Sequence, residues 1–253
     1  MKILICGKGG SGKSTISVLI AKSLKNRGYK VLLMDADESN LGLHRLMGVT
    51  SSVSLMDTLG GKKGAKDKMV KLFTKGKTPV PFANEKWKIS DIPDECTMDI
   101  NGIRMLIIGK IHRFGEGCAC SMGFVSKTFL SNLEVGDDEM VIVDTEAGIE
   151  HFGRRVEEGC DMVLGVTDPT YESFMLAKKI EEMAQNAGAA VFFLLNKVDD
   201  AVEDIMSAHI DMEKVIAKLP KDHTIFMDSL EGRELKTELP EIDQVCKFLE
   251  DFK

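Results

Sequence analysis

Residues Gly7-Lys8-Gly9-Gly10-Ser11-Gly12-Lys13-Ser14-Thr15 leave this chain few ways to fold. Glycines at this spacing, ahead of Lys-Ser, fit a loop whose backbone N–H groups cradle phosphate oxygens. Such a loop needs a buried strand before it and a helix N-terminus after it, where unpaired N–H groups meet the anion. The flanks agree. Lys2-Ile3-Leu4-Ile5-Cys6 is a short apolar run that reads as a buried parallel strand. Ile16, Leu19, Ile20 and Leu24 then recur at helical intervals until Asn26-Arg27-Gly28 ends the pattern. Lys13 is placed to reach the β/γ-phosphates and Ser14 to ligate Mg²⁺. Lys8 is a second lysine where one would suffice. Directly after the first glycine it cannot easily curl back onto its own phosphates, so it is free to reach a partner's nucleotide. The chain therefore reads as a nucleotide-dependent homodimer.

Further apolar runs, Val31–Met34, Ile103–Ile108, Met140–Val143, Met162–Val166 and Val191–Leu195, alternate with helical patterns. That alternation predicts an α/β fold, a mostly parallel sheet flanked by helices, with its functional loops at the carboxyl ends of the strands. At 253 residues one domain is expected. A net charge of −7 argues against a nucleic-acid partner, which needs a basic face. No apolar run is long enough for a bilayer, and a strand at the N-terminus leaves no room for a signal peptide. Six cysteines beside such a loop suggest a cytoplasmic protein whose thiols stay free for metals. The segment from about 60 to 96 is a lysine-rich excursion carrying Trp87, read either as a solvated loop or as a docking surface for an acidic partner.

Carboxylates stand where strands should end. Asp35-Ala36-Asp37 follows the second apolar run; Asp37 is expected to position the attacking water, with Asp35 nearer the metal. Met140-Val141-Ile142-Val143-Asp144 has the pattern of a Mg²⁺-holding acid, and Gly148 just beyond lets backbone approach a γ-phosphate. Asn196 and Lys197 close a later strand and should lie by the base, where the Asn196 amide can bond a purine edge. Asp199 completes Asn-Lys-x-Asp, which resembles a guanine-reading motif and keeps GTP open as an alternative.

Cys118-Ala119-Cys120 lies in a glycine-rich stretch. Two thiolates one residue apart give a metal half of a tetrahedral Cys₄ site, and a twofold axis would supply the other half. Zn²⁺, Ni²⁺ and Cu⁺ suit such ligands. Cys6, Cys160 and Cys246 sit in apolar contexts and read as core. After Pro240, a stripe of Ile242, Val245, Cys246, Leu249 and Phe252 opposes an acidic side, as in a helix packed on its own domain rather than on a membrane.

Together these residues resemble the SIMIBI class of P-loop ATPases, the deviant Walker A group that includes MinD, ParA, ArsA and nitrogenase iron protein. Within that class the likeness is greatest to the CooC-type nickel-insertion ATPases. It rests on Gly7–Thr15, Asp35-Ala36-Asp37, Gly117–Cys120, Asp144–His151 and Asn196-Lys197-Val198. The resemblance implies ATP/ADP with Mg²⁺, and ATP-dependent dimerisation with Lys8 reaching the opposite subunit's phosphates. It also implies a Ni²⁺ or Zn²⁺ ion at the dimer interface, shared by Cys118 and Cys120 of two subunits. The client would be a nickel enzyme, carbon monoxide dehydrogenase or acetyl-CoA synthase. A MinD/ParA-like switch and an iron–sulfur carrier of the same class are the alternatives.

Overall fold

A computed structural model describes residues 1–50, 53–58, 86–110 and 120–253, the side chains of residues 120 and 121 excepted. Its strands are β1 (Lys2–Gly7), β2 (Lys30–Asp35), β3 (Trp87–Lys88), β4 (Thr97–Ile100), β5 (Ile103–Ile107), β6 (Leu133–Glu134), β7 (Glu139–Asp144), β8 (Met162–Thr167), β9 (Ala190–Val198) and β10 (Val215–Pro220). Eight of them form one sheet in the order β10-β9-β8-β1-β7-β2-β5-β4, parallel throughout except for the antiparallel β4–β5 edge. The predicted mostly parallel α/β architecture is what the chain adopts.

Alternation along each strand divides the core between the two faces of the sheet. Ile3 and Ile5 of β1, with Leu33 and Ile142, pack against helix α1 (Lys13–Asn26) and the C-terminal helix. Leu4 and Cys6, with Met34 and Val143, pack on the opposite face. Because both faces are covered, the central strands read as unbroken apolar runs rather than as alternating ones. Ile16, Ile20 and Leu24 give α1 its buried stripe, each at most 1% exposed. Burying an aliphatic side chain of this size contributes about 1.5–3 kcal/mol.

The remaining helices are α2 (Leu43–Leu46), α3 (Leu55–Thr58), α4 (Cys120–Asn132), α5 (Glu150–Gly153), α6 (Tyr171–Ala187), α7 (Glu203–His209), α8 (His223–Glu231) and α9 (Pro240–Phe252). Met122, Val125, Phe129 and Leu130 of α4 and Phe174, Ala177 and Ile180 of α6 cover the second face. Thr170 caps α6 by accepting from Ser173 N–H, and Gly188, at φ 70°, ends it. Helix α9 starts on Pro240 and buries Ile242, Val245, Cys246 and Leu249 of its apolar stripe, while Phe252 at its end is 40% exposed. Arg27 at the end of α1 pairs with Asp243 and Glu250 of α9. No helix among the described residues is long and apolar enough to cross a membrane.

Two features differ from the sequence expectation. The lysine-rich excursion is not solvated along its described end: Trp87, Ile89, Ile92 and Cys96 are all buried in the core. The Trp87 ring lies edge-on to Phe129 of α4 at 4.0 Å, so apolar anchors outweigh the neighbouring charges there. Residues 60–85 lie outside the described part. Strands β4 and β10 also stand where no apolar run was evident. Asn101 and Gly102, both at positive φ, make the tight β4–β5 turn.

Candidate functional site

The carboxyl ends of β1, β2, β7, β8 and β9 converge on the glycine loop. Gly7, Gly10 and Gly12 take φ of 142°, 79° and 103°, angles that side chains resist. A Cβ on Gly7 would fall 2.3 Å from the Val166 carbonyl oxygen, and one on Gly12 2.3 Å from the Asn196 amide nitrogen; Gly12 carries a further role. It is the N-cap of α1, offers no side chain to the first turn, and no acidic residue stands in that turn. The first N–H groups of α1 are therefore directed to an anion. Lys13 folds back over the loop, donating to the Lys8 carbonyl at 3.2 Å. Ser11 contributes a buried hydroxyl with no hydrogen-bond partner among the described residues.

Asp144 ends β7 fully buried and is the hub of the oxygen ligands. Ser14 Oγ donates to Asp144 Oδ2 at 2.7 Å, Ser17 Oγ donates to Oδ1 at 3.0 Å, and the Asn40 amide donates to Ser14 Oγ at 2.8 Å. Burial pushes the Asp144 carboxyl up to about 6, against the pull of Ser14, Lys13 and Ser17. Hard oxygen donors grouped at a helix N-terminus fit Mg²⁺ with a phosphate. Gly148, at φ 93°, bridges to Gly7, its N–H donating to the Gly7 carbonyl at 3.1 Å, so the loop after β7 is pinned beside the phosphate cradle.

The end of β2 and the arm after it hold three buried acids, Asp35, Asp37 and Glu38. Asp37 Oδ1 accepts from Ser39 N–H (2.8 Å), Ser39 Oγ (2.6 Å) and Asn40 N–H (3.1 Å), so Asp37 both builds the turn and keeps its second oxygen clear of these bonds. Asp35, expected nearer the metal than Asp37, is bonded to another partner. Lys110 Nζ donates to Asp35 Oδ2 at 2.7 Å and to the Asp37 carbonyl at 2.6 Å. Burial pushes the Asp35 carboxyl up to about 7, against the lowering pull of that ammonium. Glu38 and Glu146 share Arg154, whose Nη1 donates to Glu146 Oε1 at 2.5 Å and lies 3.6 Å from Glu38 Oε1. Burial and the neighbouring Glu38 push Glu146 up to about 7.

Lys8 points to the end of β8, 3.7 Å from Asp168, and Lys197 approaches the same carboxylate at 3.8 Å. Lys197, at φ 61°, also donates to the Gly10 carbonyl, while the Asn196 amide donates to the Ser11 carbonyl at 2.7 Å. These two residues thus brace the loop, a role their spacing did not announce. Asp199 caps a turn by accepting from Ala201 N–H. His151 is buried below the loop after β7, 1% exposed. Gly9, exposed in the loop, and Thr15, in the first turn of α1, stand beside these residues in sequence. Cys118 lies outside the described residues, as does the side chain of Cys120. Among the described residues no cluster of three or more His, Cys, Asp or Glu could hold a metal ion.

Lys110, Arg154, Asp168, Ser17 and Asn40 went unread in the sequence. Asp168 carried a usable signal, because it follows the apolar run Met162–Val166 as Asp144 follows its own. Ser17 stands one helical turn after Ser14, the other readable sign. Lys110 and Arg154 had none.

Similarity to known proteins follows the same lines. The family model for the CobQ/CobB/MinD/ParA nucleotide binding domain matches residues 2–235. An uncharacterized ATP-binding protein of Methanocaldococcus jannaschii is 48% identical over 251 residues, covering 98% of this chain and 99% of that one. The carbon monoxide dehydrogenase accessory protein CooC of Rhodospirillum rubrum is 30% identical over 234 residues, 89% of this chain and 85% of that protein. Among solved structures, the septum site-determining protein MinD of Pyrococcus horikoshii with Mg-ADP superposes with a TM-score of 0.72 at 18% identity, over 99% of this chain and 96% of that one.

Proposed function

The chain belongs to the CobQ/CobB/MinD/ParA nucleotide-binding family and is a P-loop ATPase, and we propose that it works as an ATP-dependent metallochaperone: a homodimer that carries nickel to a nickel enzyme. ATP phosphates would lie on the N–H groups of α1, with Lys13 over the β/γ oxygens. Ser14 and Asp144 would hold Mg²⁺, which neutralises charge on the phosphates when bound. Asp37 would orient the attacking water through the oxygen its turn leaves clear. Lys8, held against Asp168 in the single chain, would turn to the partner's phosphates when two chains meet.

The observation that carries the metal reading is the Cys118-Ala119-Cys120 pair, joined to likeness with a carbon monoxide dehydrogenase accessory protein. A pair of thiolates is half a site, and a twofold dimer completes it. ATP and metal would then bias one dimer equilibrium, each raising the affinity of the other. Carbon monoxide dehydrogenase or acetyl-CoA synthase is the proposed client, with Ni²⁺ the physiological ion and Zn²⁺ a competitor for the same thiolates. Equilibrium dialysis of the reduced apoprotein against Ni²⁺ and Zn²⁺ tests this. Binding should be lost in Cys118→Ser and in Cys120→Ser; metal binding that survives both substitutions would sink the reading.

A further inference from the structure

Strand β5 ends at Ile107, with Lys110 three residues beyond it, and helix α4 begins at Cys120. A cation grips the arms around the glycine loop near each of these two ends. At the first end, the Lys110 ammonium holds both Asp35 Oδ2 and the Asp37 carbonyl, with its side chain 5% exposed and that of Asp35 0%. A cation buried so deeply and bonded to two points of one arm fixes that arm's position. At the other end, Arg154 joins the arm after β7, through Glu146, to the arm after β2, through Glu38. Helix α4 rests directly on this arginine, since a Cβ on Gly123 would fall 2.3 Å from Arg154 Cδ. Gly109, beside Lys110, repeats the arrangement: a Cβ there would meet Met56 Cγ at 2.6 Å and Met122 Sδ of α4 at 2.9 Å. The missing side chains at Gly123 and Gly109 let α4 and the arms pack in close contact, so a shift of the arms bears on α4.

We propose that Lys110 and Arg154 are positioning residues of the ATPase cycle, which fix the β2 arm and its Asp37 against the β7 arm and pass the movement of those arms to α4. The inference rests on the ATPase activity and not on the metal reading. It places nucleotide control on the helix that follows Cys118, whatever that cysteine binds.

The test is run on metal-free, full-length protein. Steady-state ATP hydrolysis is measured for Arg154→Met, Arg154→Lys and Lys110→Met, with hydrogen exchange of Cys120–Asn132 in ADP and in a non-hydrolysable ATP analogue. Arg154→Met and Lys110→Met should lower kcat about 10–100-fold with KM changed less than about threefold, as expected when a reacting geometry is displaced. Arg154→Lys keeps the cation and should return kcat to within about threefold of wild type. Exchange of α4 should differ between the two nucleotides in wild type and Arg154→Lys, and be alike in Arg154→Met. Because both methionine variants leave buried carboxylates without their cation, the rescue by Arg154→Lys decides the outcome. Wild-type kcat in Arg154→Met, equal losses in Arg154→Met and Arg154→Lys, or wild-type α4 exchange indifferent to nucleotide would each overturn the proposal. Failure of the metal reading would show separately, in the cysteine titration.

Discussion

Replacing His151 by phenylalanine should stabilise the nucleotide-free protein, and by more at pH 5 than at pH 7. The imidazole is 1% exposed, and neither ring nitrogen has a hydrogen-bond partner among the described residues. Phe152 packs against it with ring centroids 4.6 Å apart, a contact that phenylalanine can keep. Leaving a buried polar atom unpaired costs about 1–3 kcal/mol, so the variant should gain on that scale at pH 7. Burial first, and then the charges of Arg154 and Lys13, lower the His151 pKa from 6.5 to about 3. The sign follows from proton binding. The unfolded imidazole takes up its proton as pH falls through 6.5, whereas the folded one does not until about 3. Stability present above pH 6.5 is therefore lost as the solution is acidified, by about 2 kcal/mol between pH 7 and pH 5. Asp35, Asp144 and Glu146, raised to about 7, 6 and 7, act in the opposite direction, since protonation at low pH relieves their burial. They are common to both proteins and cancel in the difference. Urea unfolding of wild type and His151→Phe at the two pH values measures that difference. Any constant packing penalty shifts both gaps equally, so only their change matters. A gap that stays the same or narrows at pH 5 would refute the placement of a neutral, unpartnered imidazole.

Other substitutions test the site piece by piece. Gly12→Ala forces a side chain to φ 103° and into the Asn196 amide, so urea unfolding should show a loss of about 2–3 kcal/mol, with weaker ADP binding by calorimetry. Asp144→Asn removes the charge that Ser14 and Ser17 support; Mg²⁺-dependent hydrolysis should fall about 100-fold or more, and a near-normal rate would remove Asp144 from the metal's ligands. Lys8→Ala should spare nucleotide binding while abolishing hydrolysis and nucleotide-driven dimerisation. A wild-type rate in that variant would rule out a lysine working across the dimer.

How much of this could be read from sequence depended on whether a residue's partner lies next to it in the chain. The central strands declared themselves because burial on both faces makes them uniformly apolar, and Asp144 declared itself by ending one. The edge strand β4 did not, since Ile100 is its one buried residue, and β10 is broken by Lys218. The Asn101-Gly102 turn was a readable signal that the apolar pattern overshadowed. Within the site, the glycine loop from Gly7 to Ser14 was legible because its conformation is set by local backbone, Gly7, Gly10 and Gly12 all taking positive φ. Local sequence did not show the hold of Lys110 on Asp35, because the two meet across 75 positions of sequence and only the folded sheet brings them together. It failed likewise for Trp87, whose anchor on Phe129 is a tertiary contact amid a lysine-rich stretch.

The account's central claim is that nucleotide state controls a metal site completed by two chains. Its most direct measurement is light-scattering mass with bound-nickel content, taken on reduced protein in ADP and in a non-hydrolysable ATP analogue. The account predicts a dimer carrying about one Ni²⁺ per two chains in the ATP-like state, with weaker metal binding in ADP. One ion per single chain, held equally in both nucleotides, would contradict it.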